Sequence, residues 1–114
     1  MGIRTTNGQT RNLNMSQELD EEFFNRADAH IKLSNEQLRN INAGKVSASM
    51  MYATARFNAW LSACGFHSGE EMSDARDATV DYFVEQYRSM LKENLDDYIK
   101  NFGNYMLDVN ASTN

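Results

Sequence analysis

Four polar side chains have the types and the spacing to hold a small anion: His30, Arg56, Asn58 and Arg76. Arginine binds carboxylate or phosphate through paired hydrogen bonds, and histidine and asparagine can donate further ones to the same group. If two antiparallel helices meet near Gly44, His30 and Asn58 lie at about the same height, and the next connection brings Arg76 close to that level. The cluster is therefore a ligand-binding or enzymatic site, a polar layer whose members satisfy one another and fix helix register, or a chance grouping of side chains that simply reach solvent. We favour the polar layer.

Other chemistry has little support in the sequence. No glycine-rich phosphate loop, nucleophile elbow, Glu-x-x-His pair or Cys-x-x-Cys motif occurs. Two histidines, His30 and His67, are too few for a metal site on their own. Cys64 falls on the apolar face of a helix, so we expect a small buried hydrophobic side chain there. We predict no catalytic residue, no metal and no cofactor, and we lean towards a non-enzymatic protein.

The composition predicts one all-α domain. The chain has 114 residues, no proline and few glycines, and it is rich in helix-forming residues. The net charge of −5 disfavours nucleic acid and anionic membranes as partners. A single cysteine fits a reducing cytoplasm, and no apolar run reaches the roughly 20 residues of a membrane span. The N-terminus lacks the apolar core of a signal peptide. We therefore expect a cytoplasmic protein.

Three regions differ in their patterning. Residues 1–14 are polar and without periodicity, which indicates a disordered arm. Residues 15–107 carry the helical periodicity of a single bundle domain. Residues 108–114 are expected to form a disordered tail.

The first helix is predicted to begin at Ser16, whose side chain can cap it, and to end at Gly44. Acidic residues follow Ser16 and favour the positive end of the helix dipole. Its apolar residues then share one face at spacings of three and four: Leu19, Phe23, Ala27, Ile31, Leu38 and Ile41.

The second helix is predicted to open at Ser47 and to stop at Gly65. Its large apolar face holds Met50, Ala53, Phe57, Trp60, Leu61 and Cys64. The opposite face is flat, with small side chains that suit close packing against another helix. We predict it as an interface, formed by Ala48, Tyr52, Ala55, Arg56, Ala59, Ser62 and Ala63. A helix that is apolar or small nearly all round is usually covered on both sides.

The third helix opens at Ser73, or one turn earlier with Ser68 and Glu71 as a capping box. Its stripe contains Val80, Phe83, Val84, Tyr87, Met90, Leu91 and Tyr98. The charged residues on its outside are interpreted as a solvated face: Asp77, Asp81, Glu85, Arg88 and Lys92.

The third helix is too long for its neighbour. A continuous helix over residues 73–102 reaches about 45 Å, against about 27 Å for the second helix, so its last apolar side chains lack a cover. Either Asn94 caps a fourth helix that folds back, or Asn94 lies in the seam of a straight helix that meets a second subunit. The predicted fold is an all-α antiparallel bundle of three long segments, with this break near Asn94 as the open alternative.

Three segments of the chain resemble one family: "RADAHIKLSNEQL", "GKVSASMMYATARFNAW" and "YFVEQYRSMLKENLDDYIKNF". Together they are similar to a small proteobacterial family catalogued as a domain of unknown function, over about residues 22 to 106. The resemblance implies a short helical bacterial protein. It implies no activity, cofactor or catalytic residue.

The function is therefore unknown from the sequence, with a leading hypothesis. A non-enzymatic helical module that contacts protein, as a homodimer, fits the flat face of the second helix and the surplus apolar stripe of the third. The alternative is a binder or enzyme for a small anion that uses His30, Arg56, Asn58 and Arg76. A third hypothesis, an acidic mimic of nucleic acid, fits poorly because acidic and basic residues are mixed on the third helix.

Overall fold

The structure is a computed structural model and describes residues 20–107 of the chain. In that range every regular element is helical, which confirms the all-α class. Helix α1 spans Phe23–Gln37, α2 Ala43–Ala63, α3 Gly69–Asp74 and α4 Arg76–Lys100, and one π-helical turn, Gly103–Leu107, follows. The predicted arm 1–14 and tail 108–114 lie outside the described residues. The antiparallel bundle arrangement stays a prediction.

The chain divides into two compact units between Trp60 and Leu61, inside α2. The first unit holds α1 and most of α2. The second holds the end of α2, then α3, α4 and the π-helical turn. The contacts of each unit are considered separately.

Asp20 organises the start of α1. Its Oδ1 accepts a hydrogen bond from the Glu22 amide at 3.0 Å, and the Arg26 guanidinium donates to the same carboxylate. The hydrogen bond from Arg26 holds the pKa of the Asp20 carboxyl below its usual range. Ser16, the predicted cap, lies outside the described residues.

The boundary between the first two long helices differs from the predicted one. Gly44 is expected to end the first helix and Ser47 to open the second, yet α1 ends at Gln37 and α2 begins at Ala43. Gly44 lies inside the first turn of α2, so the predicted break there is wrong. Both helix boundaries at this connection thus precede Gly44.

Asn42 is the physical reason for the earlier start of α2. Its Oδ1 accepts a hydrogen bond from the Lys45 amide at 2.9 Å, and its carbonyl accepts one from the Val46 amide at 3.2 Å. The first amides of a helix have no partner within the helix, and an asparagine side chain satisfies one of them. Asn42 is therefore the N-cap of α2.

Replacing this cap is expected to destabilise the protein measurably. Asn42→Ala should lower the free energy of unfolding by about 1 kcal/mol, because the Lys45 amide loses its partner. Asn40→Ala, in the exposed turn before α2, should change it by less than about 0.5 kcal/mol. Urea unfolding at one fixed protein concentration measures both. Equal effects of the two substitutions would contradict the capping role.

The cap predicted at Ser68 is confirmed, rather than the alternative at Ser73. The Glu71 carboxylate bonds the His67 amide instead of the Ser68 amide that a full capping box uses. The Glu71 amide donates to Ser68 Oγ at 3.0 Å, and Glu71 Oε1 accepts from the His67 amide at 2.7 Å. Helix α3 ends at Asp74, and Ala75 separates it from α4 with φ −96° and ψ 4°. The predicted third helix is therefore two helices, a short one and a long one.

Helix α4 is continuous through Asn94, so the alternative of a new helix capped there is wrong. The Asn94 Nδ2 donates to the Met90 carbonyl at 2.7 Å, one turn back in the same helix. The side chain thus bonds the preceding turn and leaves no cap for a following helix. Asn94 therefore lies within a continuous helix, and the second subunit that the other alternative invokes stays a prediction.

The helical backbone continues beyond α4 rather than opening a separate helix. Asn101 leaves α-helical geometry with φ −112° and ψ 27°, yet its carbonyl accepts from the Tyr105 amide at 3.1 Å. Asn101 Nδ2 donates to Asp97 Oδ1 at 2.9 Å, and the Tyr105 hydroxyl donates to Asp97 Oδ2 at 3.0 Å. The ring centroids of Tyr98 and Tyr105 lie 4.7 Å apart. These contacts hold the π-helical turn against the last turns of α4.

The hydrogen bond from Tyr105 to Asp97 shifts the titration of the Tyr105 phenol, and this shift can be measured. It raises the pKa of Tyr105 above its usual value of 10.0, because the carboxylate favours the protonated phenol. The stabilisation is fully present below the unfolded-state pKa and is lost as the pH rises through the higher folded-state pKa. Tyrosine ring carbon shifts measured by NMR against pH should show one late-titrating tyrosine. That signal should vanish in Tyr105→Phe and persist in Tyr82→Phe, and its persistence in Tyr105→Phe would contradict the assignment.

Burial is slight throughout the described range. Val46, 5% exposed, is the one buried side chain between residues 20 and 107. Phe23, Ala27 and Ile31 of α1 are half-buried along the predicted face. Cys64 is exposed, so its predicted burial is wrong. The apolar periodicity thus places residues on common faces, and within residues 20–107 most of the large apolar side chains on those faces are at least partly exposed.

Candidate functional site

The residues of the predicted polar cluster divide between the two units. His30 on α1 and Arg56 on α2 are exposed, and Asn58 is half-buried. Among the described residues of the first unit, no hydrogen bond joins these three to one another. Arg76 lies in the second unit, where its guanidinium donates to Asp77 Oδ1 at 3.0 Å. The binding of an anion by this cluster stays a prediction.

A row of large, partly exposed apolar side chains runs along α4 in the second unit. Val80, Val84, Tyr87, Leu91 and Leu95, here called the α4 stripe, follow one another at spacings of four, three, four and four. These spacings place them on one side of an α-helix. Each of them is between 41% and 51% exposed. The stripe extends for about 22 Å along the helix.

Covering the exposed part of the α4 stripe would give a favourable free energy of burial. Full burial of one such side chain is worth about 1.5–3 kcal/mol, so each half-exposed member leaves about 1 kcal/mol to be gained. A contiguous exposed apolar surface of this kind often marks a site of contact with another protein. The stripe is therefore a candidate interaction surface.

Charged side chains run along one edge of the α4 stripe. Asp81, Glu85, Arg88 and Lys92, here called the charged edge, follow at spacings of four, three and four. Arg88 Nε lies 3.5 Å from Glu85 Oε1, and these two side chains are 60% and 67% exposed. The sequence interpretation takes the residues as a solvated face and attaches no meaning to their order. Two acidic residues are followed by two basic ones.

Helix α2 presents two exposed faces. On the large apolar face, the rings of Phe57 and Trp60 pack with centroids 5.4 Å apart, yet 61% and 59% of these residues remain exposed. On the predicted interface, Tyr52 is 70% exposed and Ser62 is half-buried, while the alanines and Arg56 are exposed. The small side chains leave that face free to approach another helix closely. Most residues of both faces are exposed among the described residues 20–107.

The second unit also contains an open hollow of about 340 Å³ that sequence reasoning missed. Its lining is mainly apolar and aromatic: Ser62, Phe66, Ala78, Thr79, Tyr82 and Phe83. The cap at Ser68 ends the loop after α2, and this local arrangement positions Phe66 beside α4. The sequence contains one hint of this hollow, because Phe66 is a large apolar residue in the loop that follows α2. No convergent polar groups point to a particular ligand in this hollow.

A search of the described residues finds no metal centre and no membrane-spanning helix. Within residues 20–107, no three side chains of His, Cys, Asp or Glu lie close enough together to hold a metal ion. In the same range, no helix combines the length and the apolar character that crossing a membrane requires. The exposed faces of α2 and α4 thus remain the leading features.

Comparisons with known proteins identify relatives without a described activity. Residues 23–99 match the family described as Protein of unknown function (DUF3144). The NMR structure of the protein NB7890A from Shewanella sp. is similar, with a TM-score of 0.67 and 41% sequence identity. That match covers 78% of this chain and 95% of the other. No match was found among curated proteins. The sequence resemblance is therefore confirmed, and the chain belongs to the family described as Protein of unknown function (DUF3144).

Proposed function

We propose that this chain is a non-enzymatic helical interaction module that works as a homodimer, with the α4 stripe as the surface that two copies share. The observation that carries the proposal is the exposure of five large apolar side chains along one side of α4. A chain of 114 residues is long enough to bury such residues internally, yet between residues 20 and 107 only Val46 is buried. A second copy supplies an apolar surface of matching length.

A second copy suits this surface better than an unrelated partner for a geometric reason. A two-fold interface uses the same patch on both subunits, so a long straight stripe can cover itself. Identical helices with apolar residues at spacings of three and four pack in this way along their whole length. The acidic balance of the chain disfavours nucleic acid as the partner.

The predicted interface on α2 forms a second part of the proposal. It consists of Ala48, Tyr52, Ala55, Arg56, Ala59, Ser62 and Ala63. Small side chains allow close approach of two helices, and Tyr52 offers a large exposed ring at the edge of that contact. The lone exposed thiol of Cys64 favours a reducing location, and we propose the cytoplasm.

Thermal unfolding at different protein concentrations tests the proposed dimer. When unfolding separates two chains, each tenfold rise in protein concentration adds about 1.4 kcal/mol to the free energy of unfolding of the dimer. The Tm measured by circular dichroism should therefore rise steadily between micromolar and millimolar protein. A Tm that is independent of concentration across that range would contradict the proposal.

A further inference from the structure

The order of charges beside the α4 stripe is informative about how two copies would meet. Along the charged edge, Asp81 and Glu85 are negative, and Arg88 and Lys92 are positive. All four are exposed in the single chain. The sequence of signs reverses about the midpoint between Glu85 and Arg88. These four residues complement themselves when one copy is turned end over end, whereas Asp77 and Asp96, one turn beyond them at either end, then lie opposite each other as like charges.

We infer that the two copies of α4 pair antiparallel, about a two-fold axis midway between Glu85 and Arg88; this inference rests on the proposed homodimer. When identical helices pair antiparallel, the same edge of each copy meets its counterpart in reversed order. Glu85 then lies opposite Arg88 of the second copy, and Asp81 lies opposite Lys92. By symmetry each of these pairs occurs twice.

The other edge of the α4 stripe agrees with the same axis. Phe83 and Met90 lie there, and they are equally far from the midpoint that the charges define. Antiparallel pairing about that midpoint therefore sets Phe83 of one copy opposite Met90 of the other. Contact between a thioether and an aromatic ring is favourable. The charges on one edge and the apolar residues on the other thus indicate one register.

Parallel pairing would not form the contacts that antiparallel pairing forms along the two edges of the stripe. In a parallel pair, the charged edge of one helix meets the opposite edge of its neighbour. Arg88 and Lys92 would then lie near Met90 and Glu93, and the two acidic residues would lie near Phe83 and Gln86. On that opposite edge Arg76, at the start of α4, is the basic residue near the acidic pair, so Asp81 and Glu85 do not both gain a basic partner in the second copy. Electrostatic complementarity of this kind selects orientation more than it adds affinity.

Charge reversal tests the orientation. The double variant Asp81→Lys with Glu85→Lys makes the edge wholly basic, and Arg88→Glu with Lys92→Glu makes it wholly acidic. Each should weaken self-association at low salt about tenfold or more, because four attractive pairs become repulsive. The quadruple variant that carries all four changes has two basic residues followed by two acidic ones, so opposite charges again face each other in the antiparallel pair. Its Kd for self-association should return to within about threefold of that of the unaltered chain. The two double variants mixed together should form a heterodimer. Sedimentation equilibrium measures every case.

A matched control separates specific pairing from net charge. Glu36→Lys with Glu70→Lys changes the net charge as much as the basic variant does, at exposed positions on α1 and α3 and not on α4. Its self-association should stay within about threefold of the unaltered chain. If the double variants behave like this control, or if the quadruple variant fails to recover, the antiparallel inference is overturned while the homodimer stands. A monomeric unaltered chain overturns the proposed function itself.

Distances between spin labels give a second, independent measure. In a Cys64→Ser background, labels at Ser89→Cys and at Lys100→Cys are placed near to and far from the proposed axis. Antiparallel pairing separates the two copies along the helix axis by about 8 Å at position 89 and about 40 Å at position 100. Short distances of similar size at both positions would overturn the inference, since parallel pairing keeps equivalent residues side by side.

Discussion

Leu91→Glu is expected to leave the chain monomeric at concentrations where the unaltered chain is dimeric. Leu91 lies in the middle of the α4 stripe and is 41% exposed in the single chain. Because each subunit loses the roughly 1 kcal/mol that covering the rest of Leu91 gives, the dimer loses about 2 kcal/mol, which weakens self-association roughly 30-fold. A charge inside the contact adds to this loss. Light scattering over a dilution series measures the change in Kd.

Ser89→Glu is the matched control for that experiment. Ser89 lies on the side of α4 opposite the stripe and is exposed. The two substitutions introduce the same side chain two residues apart, and glutamate is a good helix former, so helical content by circular dichroism should be unchanged in both. If Leu91→Glu associates as tightly as Ser89→Glu, the α4 stripe is not the shared surface.

Ala59→Glu is expected to have the second-largest effect, because it projects a long charged side chain from the middle of the predicted α2 interface. Overpacking at a close contact costs the dimer about 1–3 kcal/mol, and the buried charge adds to this cost. Self-association should therefore weaken by a factor of about ten to several hundred. The same dilution series measures it.

Ala59→Ser provides the control at the same position. Serine keeps the residue small, so the helices can still approach, and the Kd should change by less than about threefold. If Ala59→Glu leaves the dimer intact while Leu91→Glu abolishes it, the α2 face lies outside the interface. That outcome would contradict the part of the proposal that concerns α2 and would keep the part that concerns α4.

Local features of the fold could be predicted from the sequence. The cap that Ser68 provides for the Glu71 amide depends on residues three apart, so the pattern alone specifies it. The helical character of α4 follows from its apolar spacing in the same way. Features that depend on neighbouring residues are thus accessible without any knowledge of tertiary structure.

Asn42 and Asn94 illustrate where sequence reasoning reaches its limit. Either asparagine can cap a helix, and the side chain alone does not determine which one does. Asn42 follows a turn, so its side chain reaches the Lys45 amide; Asn94 lies within a helix and bonds the Met90 carbonyl instead. The backbone around each asparagine decides whether its side chain caps a helix or bonds the carbonyl one turn back. An asparagine in the middle of an apolar stripe, such as Asn94, is compatible with either role.

Burial is the property that the sequence could not predict. Periodicity groups Phe57, Trp60 and Cys64 on one face of the predicted second helix, yet these residues are exposed. A helical pattern defines an apolar face and says nothing of what covers it, whether the same chain or another one. The spacing of apolar residues therefore shows the α4 stripe in the sequence. Only the structure shows that these residues are exposed.

The mass of the chain in solution tests the homodimer most directly. Sedimentation equilibrium from micromolar to millimolar protein should show a transition towards twice the 13.0 kDa mass of one chain. Leu91→Glu should remain at the mass of one chain through the range where the unaltered protein doubles. A mass of 13.0 kDa for the unaltered chain at every concentration would contradict the proposed function.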